Sequence, residues 1–156
     1  MQNPNISLGK YISIIYRHGK MHINEKIKQY GLSEGQAVYL MALYHHDGIR
    51  QEDLCRSINI DKGTTAKALK KLESSGYVSK QIDSLDKRAY RIYLTDKALS
   101  LKDDIKSIYM GWTDILANEM SAQQRESAIE LLKIMSEKAA NNTFEIHRNK
   151  EQENTQ

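Results

Sequence analysis

Apolar residues recur at helical spacing from the start of the chain: Leu8, Ile12, Ile15 and Tyr16, then Ile23, Ile27 and Tyr30. Gly31 can supply the left-handed residue that ends such a helix. Ser33 followed three residues later by Gln36 is a capping box, so a second helix is expected there, carrying Val38, Leu40, Met41 and Tyr44 and stopping at Asp47-Gly48. A short helix over about residues 51–57 would turn Leu54 and Ile58 inward. A four-residue turn, Ile58 to Asp61, leads into a further helix with Asp61 as its N-cap and Gly76 at its close. The period then changes to two. Val78, Lys80 and Ile82 alternate with Ser79 and Gln81, and Tyr90, Ile92 and Leu94 alternate with Arg91 and Tyr93, with a charged stretch between them. That pattern is a β-hairpin with a long polar tip. Beyond Thr95 the helical period returns through Ile105, Ile108, Tyr109, Trp112, Ile115 and Leu116, and Ser121 with Gln124 opens a last helix with Ile129, Leu132 and Met135 inward. The polar residues after Asn141 are expected to fray.

The helix after Asp61 opens on Lys62-Gly63-Thr64-Thr65, residues of low helix propensity, and only later reaches strong formers. A short helix, a tight turn and a second helix form a helix-turn-helix, whose second helix enters the DNA major groove by its N-terminal end. At about 100° per residue, Thr65, Ala68, Leu69 and Leu72 fall on a face that packs inward, and Gly63, Ala66, Lys67 and Lys70 on the opposite face. Small residues let the backbone approach a groove floor; the lysines reach base edges or phosphates, and Thr64 and Thr65 offer hydroxyls and methyls. A hairpin directly after a helix-turn-helix makes a winged helix. Its tip carries Asp86-Lys87-Arg88, and an arginine there can enter the narrow minor groove, with Asp86 orienting Arg88 by a charge-assisted pair.

Charge strengthens this reading. The net charge is only +3, yet residues 61–97 hold nine basic and five acidic side chains, so the excess positive charge lies in that quarter of the chain. On charge alone a solvated lysine face would serve equally well. The 40% apolar and 28% charged content describes an ordinary globular protein of one domain, with no apolar run of membrane-spanning length and no secretory signal pattern. The lone Cys55 cannot pair within the chain, which suits a reducing compartment, and a cytoplasmic location is expected. No nucleophile–histidine arrangement, phosphate-cradling glycine loop or paired-acid motif is visible, so an enzyme is not expected, nor is a cofactor.

The stretch from Gln51 to Thr95 resembles MarR-type regulators. The matching pieces are Gln51-Glu52-Asp53-Leu54, Ile60-Asp61-Lys62-Gly63-Thr64, Leu72-Glu73 with Gly76-Tyr77-Val78, and the wing run Asp83…Asp86-Lys87-Arg88 with Arg91-Ile92-Tyr93-Leu94-Thr95. Gly31-Leu32-Ser33 with Gln36 and the terminal helical pattern extend the likeness over roughly residues 8–140. The resemblance implies a mainly α fold with a small β-hairpin, a winged helix-turn-helix flanked by N- and C-terminal dimerisation helices. It implies one MarR-type domain over 1–156, with the DNA-binding part at about 33–97, dimerisation helices at about 6–30 and 98–140, and a polar tail at 141–156. The candidate DNA contacts are Lys62, Gly63, Thr64, Thr65, Ala66, Lys67, Lys70, Lys87, Arg88 and Arg91. Some residues depart from the family pattern. Lys67 stands where many members have arginine, Ala98 replaces a glycine, and Arg50 sits at a helix start where a serine or threonine cap is common, unfavourable there unless it meets an anion. Cys55 lies where alanine is usual, and no cysteine occupies the first-helix position of peroxide-sensing relatives, so Cys55 is expected to be a small core residue.

Dimerisation is also expected from the residues: Tyr11, Ile12, Ile15, Trp112, Leu116, Leu132 and Met135 exceed what a small winged domain can bury alone. The family resemblance implies a homodimer on double-stranded, pseudo-palindromic DNA, acting as a repressor relieved by a small aromatic or phenolic effector. Tyr11, Tyr16, Tyr39, Met41, Tyr44, Tyr109 and Trp112 could line an effector cavity, although such stripes are more often plain core. His18 and His22, at i and i+4, have the spacing of a zinc pair, but no cysteine or glutamate cluster completes a site, and no metal is expected. The alternatives are a winged-helix protein–protein adaptor without DNA, or a metal-responsive regulator.

Overall fold

In this computed structural model residues 7–153 are described, with side chains through Asn142. The elements in chain order are α1 (Leu8–Ile27), a 3-10 turn (Lys28–Tyr30), α2 (Glu34–Leu43), β1 (Ile49–Arg50), α3 (Gln51–Ile58), α4 (Lys62–Ser74), β2 (Val78–Ile82), β3 (Tyr90–Leu94), α5 (Asp96–Ser100), α6 (Lys102–Ala117) and α7 (Ala122–Glu153). The chain divides after Asp114 into two compact units.

The first unit contains the winged helix. Its centre is a cluster in which Leu40, Leu43, Leu54, Leu72, Ile92 and Ile105 are fully buried; each contributes about 1.5–3 kcal/mol relative to exposure. Their spacing explains the packing, since Leu40 and Leu43 share one face of α2, and Leu69 and Leu72 share one face of α4 with Thr65. Ser33 and Gln36 form the anticipated reciprocal cap: Gln36 N donates to Ser33 Oγ, and Ser33 N donates to Gln36 Oε1. Gly31, at φ 69°, ends the 3-10 turn, and Asn59, at φ 54°, makes the sharp α3–α4 corner in the left-handed region that asparagine tolerates. Where α1 passes α6, a Cβ on Gly19 would stand 2.8 Å from the Trp112 indole nitrogen, so only glycine permits that approach.

The hairpin belongs to a three-stranded antiparallel sheet in the order β1-β3-β2. β1, two residues long, was not anticipated, because a strand of that length carries no readable period. It sets Ile49 against Ile92 and Arg50 against Arg91, while β2 and β3 pair Val78 with Leu94, Lys80 with Ile92 and Ile82 with Tyr90.

In the second unit Ser121 and Gln124 cap one another reciprocally at the start of α7. The helix runs on to Glu153. The expected fraying after Asn141 falls on a stretch whose backbone is helical to Glu153; residues 154–156 lie outside the described region. Among the described residues no helix is long and apolar enough to cross a membrane.

Candidate nucleic-acid interface

Asp61 caps α4 by accepting from Thr64 N at 2.9 Å, and hydrogen bonding from the Thr64 side chain first, then from its backbone N–H, holds the Asp61 carboxyl below the ordinary range. The weak opening turn is thus anchored from outside the helix. Gly63, Thr64, Ala66, Lys67 and Lys70 are exposed, and Leu69 and Leu72 are buried, as the helical spacing predicts. Thr65 corrects the list of candidate contacts. It is fully buried, and its Oγ1 accepts from the Tyr39 hydroxyl at 3.3 Å, because its position places it on the same face as Leu69 and Leu72. Lys62 is exposed but donates to Glu52 at 3.0 Å, an exposed pair that a phosphate can displace at little cost.

The wing differs from the expected arrangement in which carboxylate shapes it. Asp83, 1% exposed, is the hub. Its Oδ1 accepts from Leu85 N at 2.8 Å and Asp86 N at 3.1 Å, and its Oδ2 from Arg50 Nε at 2.9 Å and Arg91 Nε at 2.6 Å. The Arg50 hydrogen bond first, then the backbone donors and Arg91, hold the Asp83 carboxyl well below the usual carboxylate range. Arg91 also donates to Gly48 O at 2.8 Å. Its guanidinium is therefore committed to the wing base, which corrects its placement among the DNA contacts. Arg50 likewise meets a carboxylate, which explains how an arginine is tolerated at the start of α3. Asp86 does not grip the Arg88 side chain: its Oδ1 accepts from Arg88 main-chain N at 3.0 Å, shaping the tip turn instead.

Lys67, Lys70, Lys87 and Arg88 meet no carboxylate at ion-pair distance among the described residues. Lys80, which sequence reasoning did not select, joins them. Its ammonium lies 4.0 Å from the Tyr90 ring centroid, and it lines two hollows, one of about 460 Å³ with Arg50, Lys62 and Arg88, the other of about 340 Å³ with Ala66 and Lys70. The inward-parity position of Lys80 on β2 hid it, since a core strand was expected there. Cys55 is 6% exposed, within α3, as expected of a small core residue.

The aromatic candidates divide between the core cluster, to which Tyr39 belongs and against which Met41, Tyr44 and Tyr109 pack, and exposed positions on α1. Tyr39 is buried, and the Tyr44 hydroxyl donates to Ala98 O at 2.7 Å, burial pushing that phenol up to about 12. Met41 packs on the core beside them. Tyr11 and Tyr16 are exposed, and Trp112 lies against Gly19 and His22. Tyr109 differs from these: its hydroxyl is buried with no hydrogen-bond partner among the described residues, and burial, then the charge of Glu34, raises its pKa. His22 packs on Trp112, with ring centroids 5.4 Å apart, and His18 is exposed; among the described residues no three metal-ligating side chains gather.

A helix-turn-helix whose second helix presents glycine, alanine and lysine, followed by a hairpin with a cationic tip, defines a winged helix DNA-binding protein. The MarR family model matches residues 32–90. A MarR transcriptional regulator from Methanosarcina mazei Go1 is 44% identical, with a TM-score of 0.82 over 86% of this chain and 96% of that one. The HTH-type transcriptional regulator BilQ of Clostridioides difficile (strain CD3) is 25% identical over 131 residues, 84% of this chain and 88% of that protein. The fold also matches the S. aureus MepR–DNA complex, at 22% identity and a TM-score of 0.78, over 86% of this chain and 99% of that one. The chain belongs to the MarR family of winged helix-turn-helix transcriptional regulators.

Proposed function

We propose that this protein is a cytoplasmic homodimeric regulator that binds a pseudo-palindromic operator and represses transcription until a small effector releases it. The observation that carries the reading is the pairing of one α4 face, bearing Gly63, Ala66, Lys67 and Lys70, with a wing tip whose exposed Lys87 and Arg88 meet no carboxylate at ion-pair distance among the described residues. In this reading α4 lies in the major groove, with Thr64 and Lys67 at base edges and Lys62, Lys70 and Lys80 on phosphates, and Arg88 enters the adjoining minor groove. A two-fold dimer would set two such helices about 34 Å apart, one turn of DNA.

The exposed apolar residues of α1, Leu8, Tyr11, Ile12 and Ile15, support a dimer, and so, separately, do Ile129 and Leu132 of α7. The unpartnered Tyr109 hydroxyl supports an effector site for a small phenolic or aromatic acceptor, because a phenol kept protonated by burial can donate to it. An effector that alters the spacing of the two wings removes simultaneous engagement, and most of the affinity with it.

A mobility-shift titration against the protein's own promoter region at two salt concentrations tests this reading. Specific binding that falls steeply with salt is expected, as counterions are released from each neutralised phosphate. Salt-insensitive or absent binding would favour a protein–protein adaptor instead.

A further inference from the structure

The inner face of the hairpin carries Val78, Lys80 and Ile82 on β2 against Leu94, Ile92 and Tyr90 on β3. Near the base this face is core, with Val78 and Ile92 buried. Towards the tip two apolar side chains stand open to solvent: Ile82, at the end of β2, is 62% exposed, and Leu85, in the tip itself, 85%. Leu85 is the most exposed large apolar residue described, and it does not hang on a loose loop. Its main-chain N–H is tied to Asp83 Oδ1, the same carboxylate that Arg50 and Arg91 grip, so the tip is ordered before it meets anything. Lys87 and Arg88 follow it in the same exposed tip, and the intervening Asp86 accepts from the Arg88 main-chain N–H.

An apolar side chain on an ordered tip that also carries exposed cations suits a surface that is negative overall but apolar locally. The DNA minor groove has that character, with sugar walls between two rows of phosphates, and proteins that enter it often part a base step with an apolar wedge. We propose that Leu85 is such a wedge: seated beside Arg88, it packs on the deoxyribose walls and opens a base step beneath the wing. The inference rests on the DNA-binding reading above and adds a source of sequence preference. Pyrimidine–purine steps unstack most easily, so the protein favours them under the wing without hydrogen-bonding their bases.

The test uses duplexes selected by the full-length protein from a random-sequence pool, and compares wild type, Leu85→Ala, Leu85→Met and Arg88→Ala at two salt concentrations. Leu85→Ala is expected to weaken binding about tenfold with an unchanged salt slope, because no phosphate contact is lost. Leu85→Met, of similar volume, should stay within about twofold of wild type. Replacing the pyrimidine–purine step under the wing by a stiff A-tract should weaken wild type severalfold and Leu85→Ala hardly at all. Equal affinity of Leu85→Ala and wild type, or equal sensitivity of both to the step exchange, overturns the wedge. If Arg88→Ala loses affinity and salt slope while Leu85→Ala does not, the wedge alone fails and DNA binding stands; if wild type selects no duplex, both fail. Melting temperatures equal to wild type, expected for so exposed a position, show that the variants are folded.

Discussion

At the base of the wing, Asp83 is buried and its two oxygens accept four hydrogen bonds, two from the arginines of β1 and β3 and two from the tip backbone. At the tip, five residues away at most, Lys87 and Arg88 are exposed and meet no carboxylate at ion-pair distance among the described residues. The base consumes its charges to fix a shape; the tip leaves its charges available. Arg50 and Arg91 stand opposite one another in the β1–β3 register, an arrangement of like charges that strands disfavour, and Asp83 makes it tolerable. Basic residues close together on this hairpin therefore divide into two kinds, and their number alone predicts neither.

The sharpest way to break that division is at the base. Asp83→Asn should lower the thermal midpoint by roughly 10 °C, since it leaves two partly buried guanidiniums poorly matched. It should also abolish high-affinity DNA binding, because the tip loses its anchor. Its pH dependence gives a second readout. The Asp83 carboxyl is depressed in the fold, so its contribution is complete above the unfolded value of about 3.9 and disappears as pH falls below it. The gap in melting temperature between wild type and Asp83→Asn is expected to be full at pH 6 and to narrow progressively on acidification towards pH 2. A gap that stayed constant would mean that the carboxylate does not carry the effect.

Arg88→Ala comes next. It should cost about 1–3 kcal/mol of operator binding and reduce the salt slope by about one, with the melting temperature unmoved. A large drop in stability would place Arg88 with the base rather than the tip. Lys67→Ala is expected to relax preference at a single operator position by about 1 kcal/mol, measured by binding to a panel of single-base variants. Uniform weakening across the panel would make Lys67 a phosphate contact only. Smallest is Glu52→Gln, which frees Lys62 from its exposed partner; affinity should rise by about twofold or less, with a steeper salt dependence.

The residues announced the recognition helix and both capping boxes because each depends on local spacing: Asp61 three before Thr64, Ser33 three before Gln36, Ser121 three before Gln124. They also placed Thr65 inward by period, and its inclusion among DNA contacts put its side-chain chemistry ahead of that geometry. The wing base was misread for a different reason. Asp83 and Asp86 are both acidic and three apart, and which one turns inward depends on a cation delivered by β1, 33 residues earlier in the chain. Two residues of strand leave no periodic trace, so Arg50 looked like a poor cap rather than half of an ion pair. The aromatic stripe divides for a reason the spacing does not show, because an internal hydrogen bond is invisible in sequence: Tyr39 and Tyr44 each spend their hydroxyl on the fold, whereas the buried Tyr109 hydroxyl meets no partner among the described residues.

Trp112 is the sole tryptophan in the chain, and it rests against Gly19 and His22 of α1. The molecule thus carries a built-in optical gauge at the point where its first helix is wedged against α6. Excitation of that indole alone follows this contact without any label, and its emission will shift whenever a bound molecule or a second subunit slides α1 away from the ring.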